Sequence, residues 1–336
     1  MEIPKKQFAL YCLGHFWIDF SCALLLLSRL RGGEGWLLCV LLYNFCAFAL
    51  QMPIGLLADV LSRNSCVAAF GCALAALGWG AGSVSVLAVV LAGIGNACFH
   101  VGAGEDVLQA KKSAALGVFI SPGAFGVYFG TLLGKSVALS GWVAITGLLL
   151  FGALPVALDL KRRGSLGSSN GPVRVSPNSR LALFCLVFVV ALRSYVGMIQ
   201  SFEWKNGPLA VAAACMLVFG KAAGGFLGDA VGMKRTAFLS LGLSALLFVF
   251  GEAPLAGLAG IFLFNMTMPV TLWAVSRVLP DAKGFSFGLL SFALFLGFLP
   301  TYAALPVPLS STWGCALGAA LSLPLLWVGL RKGGVK

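Results

Sequence analysis

The chain has 336 residues, of which 60% are hydrophobic and only 10% charged, and its mean hydropathy is +0.98. A water-soluble globule carries about 25% charged residues, so a soluble enzyme, a disordered chain and a disulfide-stapled secreted module are all excluded. The composition is that of a protein whose solvent is a bilayer. The net charge of +12 comes from 23 Lys and Arg against 11 Asp and Glu. No compact basic region is present to hold a nucleic acid, and such an excess instead marks cytoplasmic loops.

The first apolar segment follows Lys5 and Lys6, holds Asp19 and runs past Leu27 without a small-residue cleavage pattern. It reads as a retained membrane helix rather than a signal peptide. A helix needs about 20 apolar residues to cross the hydrocarbon core. Twelve segments qualify, some of them short: 8–29, 36–58, 65–80, 84–104, 114–134, 140–158, 181–200, 208–228, 236–250, 254–276, 285–304 and 311–330. The third and ninth carry the weakest signal. Residues 159–180, DLKRRGSLGSSNGPVRVSPNSR, are rich in Gly, Ser and Arg and read as a flexible linker. The expected organisation is an all-α membrane protein: a six-helix bundle over 1–158, a cytoplasmic linker over 159–180 and a second six-helix bundle over 181–336.

Charge supports this topology. With the N-terminus inside, Arg29, Arg31, Lys135 and Lys205 fall outside, Arg193 and Lys221 lie within helices, and the other seventeen basic residues face the cytoplasm. That bias places both termini in the cytoplasm of an inner membrane. All ten Cys sit in apolar runs and no CxxC occurs, so they read as small buried hydrophobes. No cofactor is expected, and no nucleotide motif is present.

An internal repeat links the halves. FALQMPIGLLAD (48–59) aligns with VFGKAAGGFLGD (218–229), pairing Gly55 with Gly225, Leu57 with Leu227 and Asp59 with Asp229. Each copy closes a helix and leads into a basic loop, with Arg63 in one and Lys234 and Arg235 in the other. Glycine allows close helix approach, and the aspartate can hold basic groups or the positive end of a neighbouring helix.

With these residues in place the chain resembles the major facilitator superfamily, whose loop signature is roughly G-x-L-a-D-r-x-G-r-k. GLLADVLSRN (55–64) keeps Gly55, Leu57, Asp59 and Arg63, and GFLGDAVGMK (225–234) keeps Gly225, Leu227, Asp229, Gly232 and Lys234. The resemblance implies two pseudo-symmetric six-helix bundles, transport by alternating access, and gating roles for Gly55, Asp59, Arg63, Gly225, Asp229 and Lys234. HFWID (15–19), GNACFHVGAGED (95–106) and ALRSYVG (191–197) are similar to the fosmidomycin-resistance-like branch, which implies proton-driven export. GVFISPGAFG (117–126) is similar to the antiporter motif and reads equally as a proline-kinked packing helix.

Ionisable residues inside a membrane are functional candidates by default, because each costs roughly 2.5–3.5 kcal/mol on insertion scales. Asp19 is the one acid in the middle of a segment, and His15 shares its face at i and i+4. The pair is expected to handle the coupling proton, with Arg193 of the seventh segment at matching depth as its counter-charge. Either that pairing serves coupling, or it is a fixed structural pair. Substrate contacts are expected from Arg193, Lys221, Tyr195, His100, Asn44, Gln51 and Asn265. His15, Asp19 and His100 could be written as metal ligands. Two share one helix and the third is placed at the far end of another, so no metal site is expected. Embedded positive charge exceeds negative, which points to an organic anion or zwitterion. The expected protein is a monomeric secondary transporter and not an enzyme. Its partners are the lipid bilayer, a small-molecule substrate and H+; the alternative is a uniporter, importer or exchanger without proton coupling.

The topology has a direct check in a bacterial host. Green fluorescent protein fused after the C-terminus should fluoresce, and alkaline phosphatase inserted beside Lys205 should be active. The opposite pattern refutes the orientation.

Overall fold

The computed structural model describes residues 3–81, 84–110, 112–136, 140–160, 177–304 and 311–335. Most of the expected linker, 161–176, lies outside the described residues, as do the basic residues Lys111, Lys161, Arg162, Arg163, Arg174 and Lys336. Among the described residues there are helices and turns and no strand. In lipid a backbone must satisfy its own polar groups, which a helix does residue by residue.

Among the described residues twelve helical stretches result. They are α1 Lys5–Leu30, α2 Trp36–Leu61, α4 Ser85–Leu108, α5 Ser113–Ser136, α6 Gly141–Leu160, α8 Gly207–Val231, α10 Pro254–Val278, α11 Lys283–Tyr302 and α12 Ser311–Lys332, with α3 Asn64–Gly80, α7 Pro177–Ile199 and α9 Met233–Val249. Ten are long and apolar enough to cross a membrane. The exceptions are α3 and α9, at 17 residues each. These are the two whose sequence signal is weakest. The chain is therefore a multi-pass membrane protein with an all-α fold.

Two helices are interrupted, and proline explains where. Proline removes an N–H and crowds the carbonyl four residues back. Pro269 disturbs Asn265, and α10 breaks into Pro254–Asn265 and Thr267–Val278. Pro53 disturbs Ala49, and α2 passes through a π-helical turn, Phe45–Ala49, before continuing as Gln51–Leu61.

Contacts divide the chain into two units: Met1–Ala110 with Pro122–Pro172 and Asp281–Phe292, and Lys111–Ser121 with Val173–Pro280 and Ala293–Lys336. Relative to a division at the linker, the start of α5 groups with the second unit and the start of α11 with the first. The hydrogen bonds at those two helix starts, described below, are the physical reason. In the first unit α3 packs along α4 through facing glycines. A Cβ at Gly95 would stand 2.5 Å from the Gly71 carbonyl oxygen and 2.6 Å from the Ala75 nitrogen. Trp17 Nε1 on α1 donates to the Ala144 carbonyl of α6 at 3.1 Å. In the second unit Gly220 and Gly224 of α8 meet the backbone of Phe262 and Met266 on α10. Large apolar side chains such as Trp142, Phe184, Leu246 and Leu255 are exposed, as lipid-facing positions require. Of the ten cysteines, all free, seven are buried and Cys12, Cys66 and Cys215 are half-buried.

The α3–α4 contact sets a stability test. Gly95→Leu should lower the thermal midpoint in detergent, with overpacking costing about 1–3 kcal/mol. Gly80→Leu on the same pair of helices should be neutral, because nothing lies within 4 Å of a Cβ there.

Candidate functional site

The mid-helix charges each find partners within their own unit. In the first, α1 presents His15 and Asp19 one turn apart, with His15 Nε2 3.3 Å from Asp19 Oδ2. From α4, Asn96 Nδ2 donates to Asp19 Oδ1 at 2.8 Å. His100 Nε2 lies 3.7 Å from that same oxygen and 2.9 Å from His15 Nε2. The two imidazole rings meet edge to face, their centroids 4.5 Å apart. Asn96 and His100 are also four apart, so each helix contributes one face to the cluster.

This corrects the expected position of His100. The glycines and acids of FHVGAGED read as a helix ending near residue 104, which puts His100 near the end. The helix runs on to Leu108, because those residues are packed rather than solvated. A Cβ at Gly104 would stand 2.6 Å from the ring of Phe287. Asp106 accepts from Tyr11 Oη and Asn64 Nδ2, both at 2.7 Å, and Gln7 Nε2 donates to that tyrosine oxygen at 3.0 Å. Glu105 is buried too, and its Oε2 has no hydrogen-bond partner among the described residues.

In the second unit Arg193 of α7 is 7% exposed, and its Nη1 donates to Thr271 Oγ1 of α10 at 3.2 Å. Thr271 itself donates to the Met268 carbonyl at 2.9 Å, beside the α10 interruption. A guanidinium carries five N–H donors, and one bond to a neutral hydroxyl leaves its charge without a counter-ion inside that contact. Lys221 Nζ lies 3.5 Å from the Ile120 carbonyl. Three other expected contacts turn back onto their own helices: Asn44 donates to Val40 O and Asn265 to Ile261 O, each at 2.8 Å, and Gln51 donates to the Ala47 carbonyl. Tyr195 is half-buried on α7.

The repeated aspartates occupy matching roles. Asp59 accepts the backbone N–H groups of Gly284 and Phe285 at 2.8 and 2.9 Å, at the start of α11. Asp229 accepts those of Ser113 and Ala114 at 2.8 and 3.0 Å, at the start of α5. Each carboxylate thus satisfies orphan donors at a positive helix end. The paired glycines make room: a Cβ at Gly55 would stand 2.8 Å from Phe285 N, and one at Gly225 2.6 Å from Ser113 O. Arg63 is exposed and Lys234 half-buried, each just beyond its motif helix. Sequence reasoning missed Ser113 and Thr271, for which spacing carries no signal. Asn96 lies one turn before His100, and that spacing of four ties it to the same face.

Asp59→Ala and Asp229→Ala should each cost about 0.5–2 kcal/mol, the usual value of a lost cap. Thermal unfolding in detergent reads this directly, and unchanged midpoints in both variants would show that the caps hold nothing.

No protein-family model and no curated protein sequence matches the chain. Solved structures do. The fucose:proton symporter FucP of E. coli matches with a TM-score of 0.67 at 14% identity, over 96% of this chain and 97% of that one. A structure of the major facilitator superfamily transporter FucP in the outward conformation matches with a TM-score of 0.68 at 15% identity, over 96% and 97%. A bacterial homologue of the iron transporter ferroportin, outward-facing, matches with a TM-score of 0.68 at 13% identity, over 98% and 99%. Near-complete coverage in both directions makes the likeness one of whole architecture: the chain has the major facilitator fold.

Proposed function

We propose that the protein is a secondary active transporter that exports a small organic anion or zwitterion by alternating access in exchange for protons. It works as a monomer in the cytoplasmic membrane, with both termini inside. The observation that carries the cargo assignment is Arg193, a buried guanidinium whose partner among the described residues is a hydroxyl and not a carboxylate. A buried charge without a counter-ion is strongly unfavourable, so the site is completed by an anion from solution. Carboxylate and phosphonate groups accept two parallel bonds from a guanidinium, which a lysine cannot offer. Lys221, on α8 of the same unit, adds positive charge. Likeness in fold to a protein described as a fucose:proton symporter supports the transport reading and the use of a proton gradient. Asp59 and Asp229, with Gly55, Gly225, Arg63 and Lys234 around them, act as latches whose release from the starts of α11 and α5 accompanies gating.

Reconstituted protein should carry a radiolabelled organic anion found by ligand-induced thermal stabilisation, since a ligand that binds only the folded state raises its melting point. Arg193→Ala and Arg193→Lys should both abolish flux while the protein still folds, and normal flux in both removes the anion assignment. An inward proton gradient should accelerate export. Flux indifferent to the gradient instead identifies a uniporter or substrate exchanger.

A further inference from the structure

The cluster in the first unit has more order than a carboxylate and a histidine need in order to share a proton. One ligand-capable atom from each of His15, Asp19 and His100 lies within 4.8 Å of the others. The individual separations are 2.9 Å between the two Nε2 atoms, 3.3 Å from His15 Nε2 to Asp19 Oδ2 and 3.7 Å from His100 Nε2 to Asp19 Oδ1. Nitrogen and oxygen ligands sit about 2.0–2.2 Å from zinc, which puts neighbouring ligands about 3.0 Å apart at right angles and about 3.4 Å apart at the tetrahedral angle. Two of the separations match that spacing and the third, to the other Asp19 oxygen, is about 0.3 Å longer, so the three side chains stand close to one face of a coordination sphere.

The surroundings orient the same atoms. His100 Nδ1 faces the Asn96 carbonyl oxygen at 2.9 Å, so that nitrogen carries the ring proton and the lone pair of the neutral ring lies on Nε2, turned toward His15. The Asn96 amide holds Asp19 Oδ1 at 2.8 Å and leaves Oδ2 on the side of His15. A single residue thus fixes two of the three ligands, as outer-shell partners of metal sites do. Gly123 of α5 packs directly against the His15–Asp19 side of the cluster, where no side chain fits. A Cβ there would overlap His15 Nε2 and stand 2.5 Å from Asp19 Oδ2. The ligand side chains are only 7–13% exposed. They also lie at mid-span: His15 and Asp19 are the eleventh and fifteenth of the 26 residues of α1, and His100 the sixteenth of the 24 of α4.

We propose that His15, His100 and Asp19 bind a divalent transition-metal cation. Two imidazoles and one carboxylate suit zinc, cobalt, nickel or ferrous iron, and not magnesium or calcium, which prefer oxygen. Metal coordination replaces the hydrogen bond in which His15 Nε2–H donates to His100 Nε2: the neutral His15 ring changes tautomer, its proton moving from Nε2 to Nδ1, so that both Nε2 lone pairs face the cation. Mid-span is where carriers place transported and coupling ions. The proposal does not rest on the anion reading at Arg193.

The test uses the full chain in detergent and cobalt(II) alone as the probe. One equivalent of Co2+ should produce saturable visible d–d absorption, which Zn2+ then abolishes by displacement. His15→Gln and His100→Gln should remove the signal, Gly123→Ala should block it, and Asn96→Ala should weaken affinity about 10- to 100-fold. Size-exclusion elution and metal-free thermal midpoints identify any variant that fails to fold, and the remaining variants then decide. Arg193→Lys should keep the cobalt signal whatever its transport, which separates this proposal from the previous one. Absence of a saturable signal in the unaltered protein overturns the proposal, as does its persistence in folded forms of both histidine variants.

Discussion

Burial of charge in lipid is the constraint on which the rest of the molecule depends. With only 10% of its residues charged, the chain leaves most of its basic residues at helix ends and loops and admits few ionisable groups to mid-helix. Each of those few must be answered locally, because a transmembrane charge costs roughly 2.5–3.5 kcal/mol even on lenient scales. Asp19 is answered by an amide and two imidazoles. Among the described residues Arg193 is answered by a single hydroxyl. The contrast leaves the two units with different polar interiors, a carboxylate–imidazole cluster in one and a buried guanidinium in the other.

The repeated motif belongs to the same economy. Asp59 is buried and would be an unpaired charge if it did not meet backbone N–H groups, whereas Asp229 is exposed and makes the same kind of bond from the surface. Asp59 and Asp229 each find two, at the starts of α11 and α5. Glycine at 55 and 225 is what lets those helix starts come near enough. The motif is therefore a packing device and an electrostatic one at once.

Much of the fold was legible because crossing a bilayer imposes length and apolarity directly on the sequence. All twelve segments appear within a few residues of their expected limits. The chief misreading was the end of α4, where Gly102, Gly104, Glu105 and Asp106 carry the composition of a helix terminus. Tyr11 and Asn64 take up Asp106 and the Phe287 ring covers Gly104, which are tertiary facts that no local pattern encodes. The same limit applies to the site. Spacing of four ties His15 to Asp19 and Asn96 to His100, but the crossing of α1 with α4 that merges the two pairs is written only in packing. Thr271 carried no sequence signal, since a hydroxyl inside an apolar helix most often serves its own backbone.

The brevity of α3 and α9 bears on the surrounding lipid. Seventeen residues rise about 25 Å at 1.5 Å each, some ångströms less than the roughly 30 Å hydrocarbon thickness of a common bilayer. Phe70 and Leu77 on one, and Phe238 and Leu246 on the other, point outward, so acyl chains beside them must compress or tilt to meet the helix ends. Such mismatch costs fractions of a kcal/mol per Å. Short-chain phospholipids therefore relieve an elastic load that long-chain ones impose at these two stations on the perimeter.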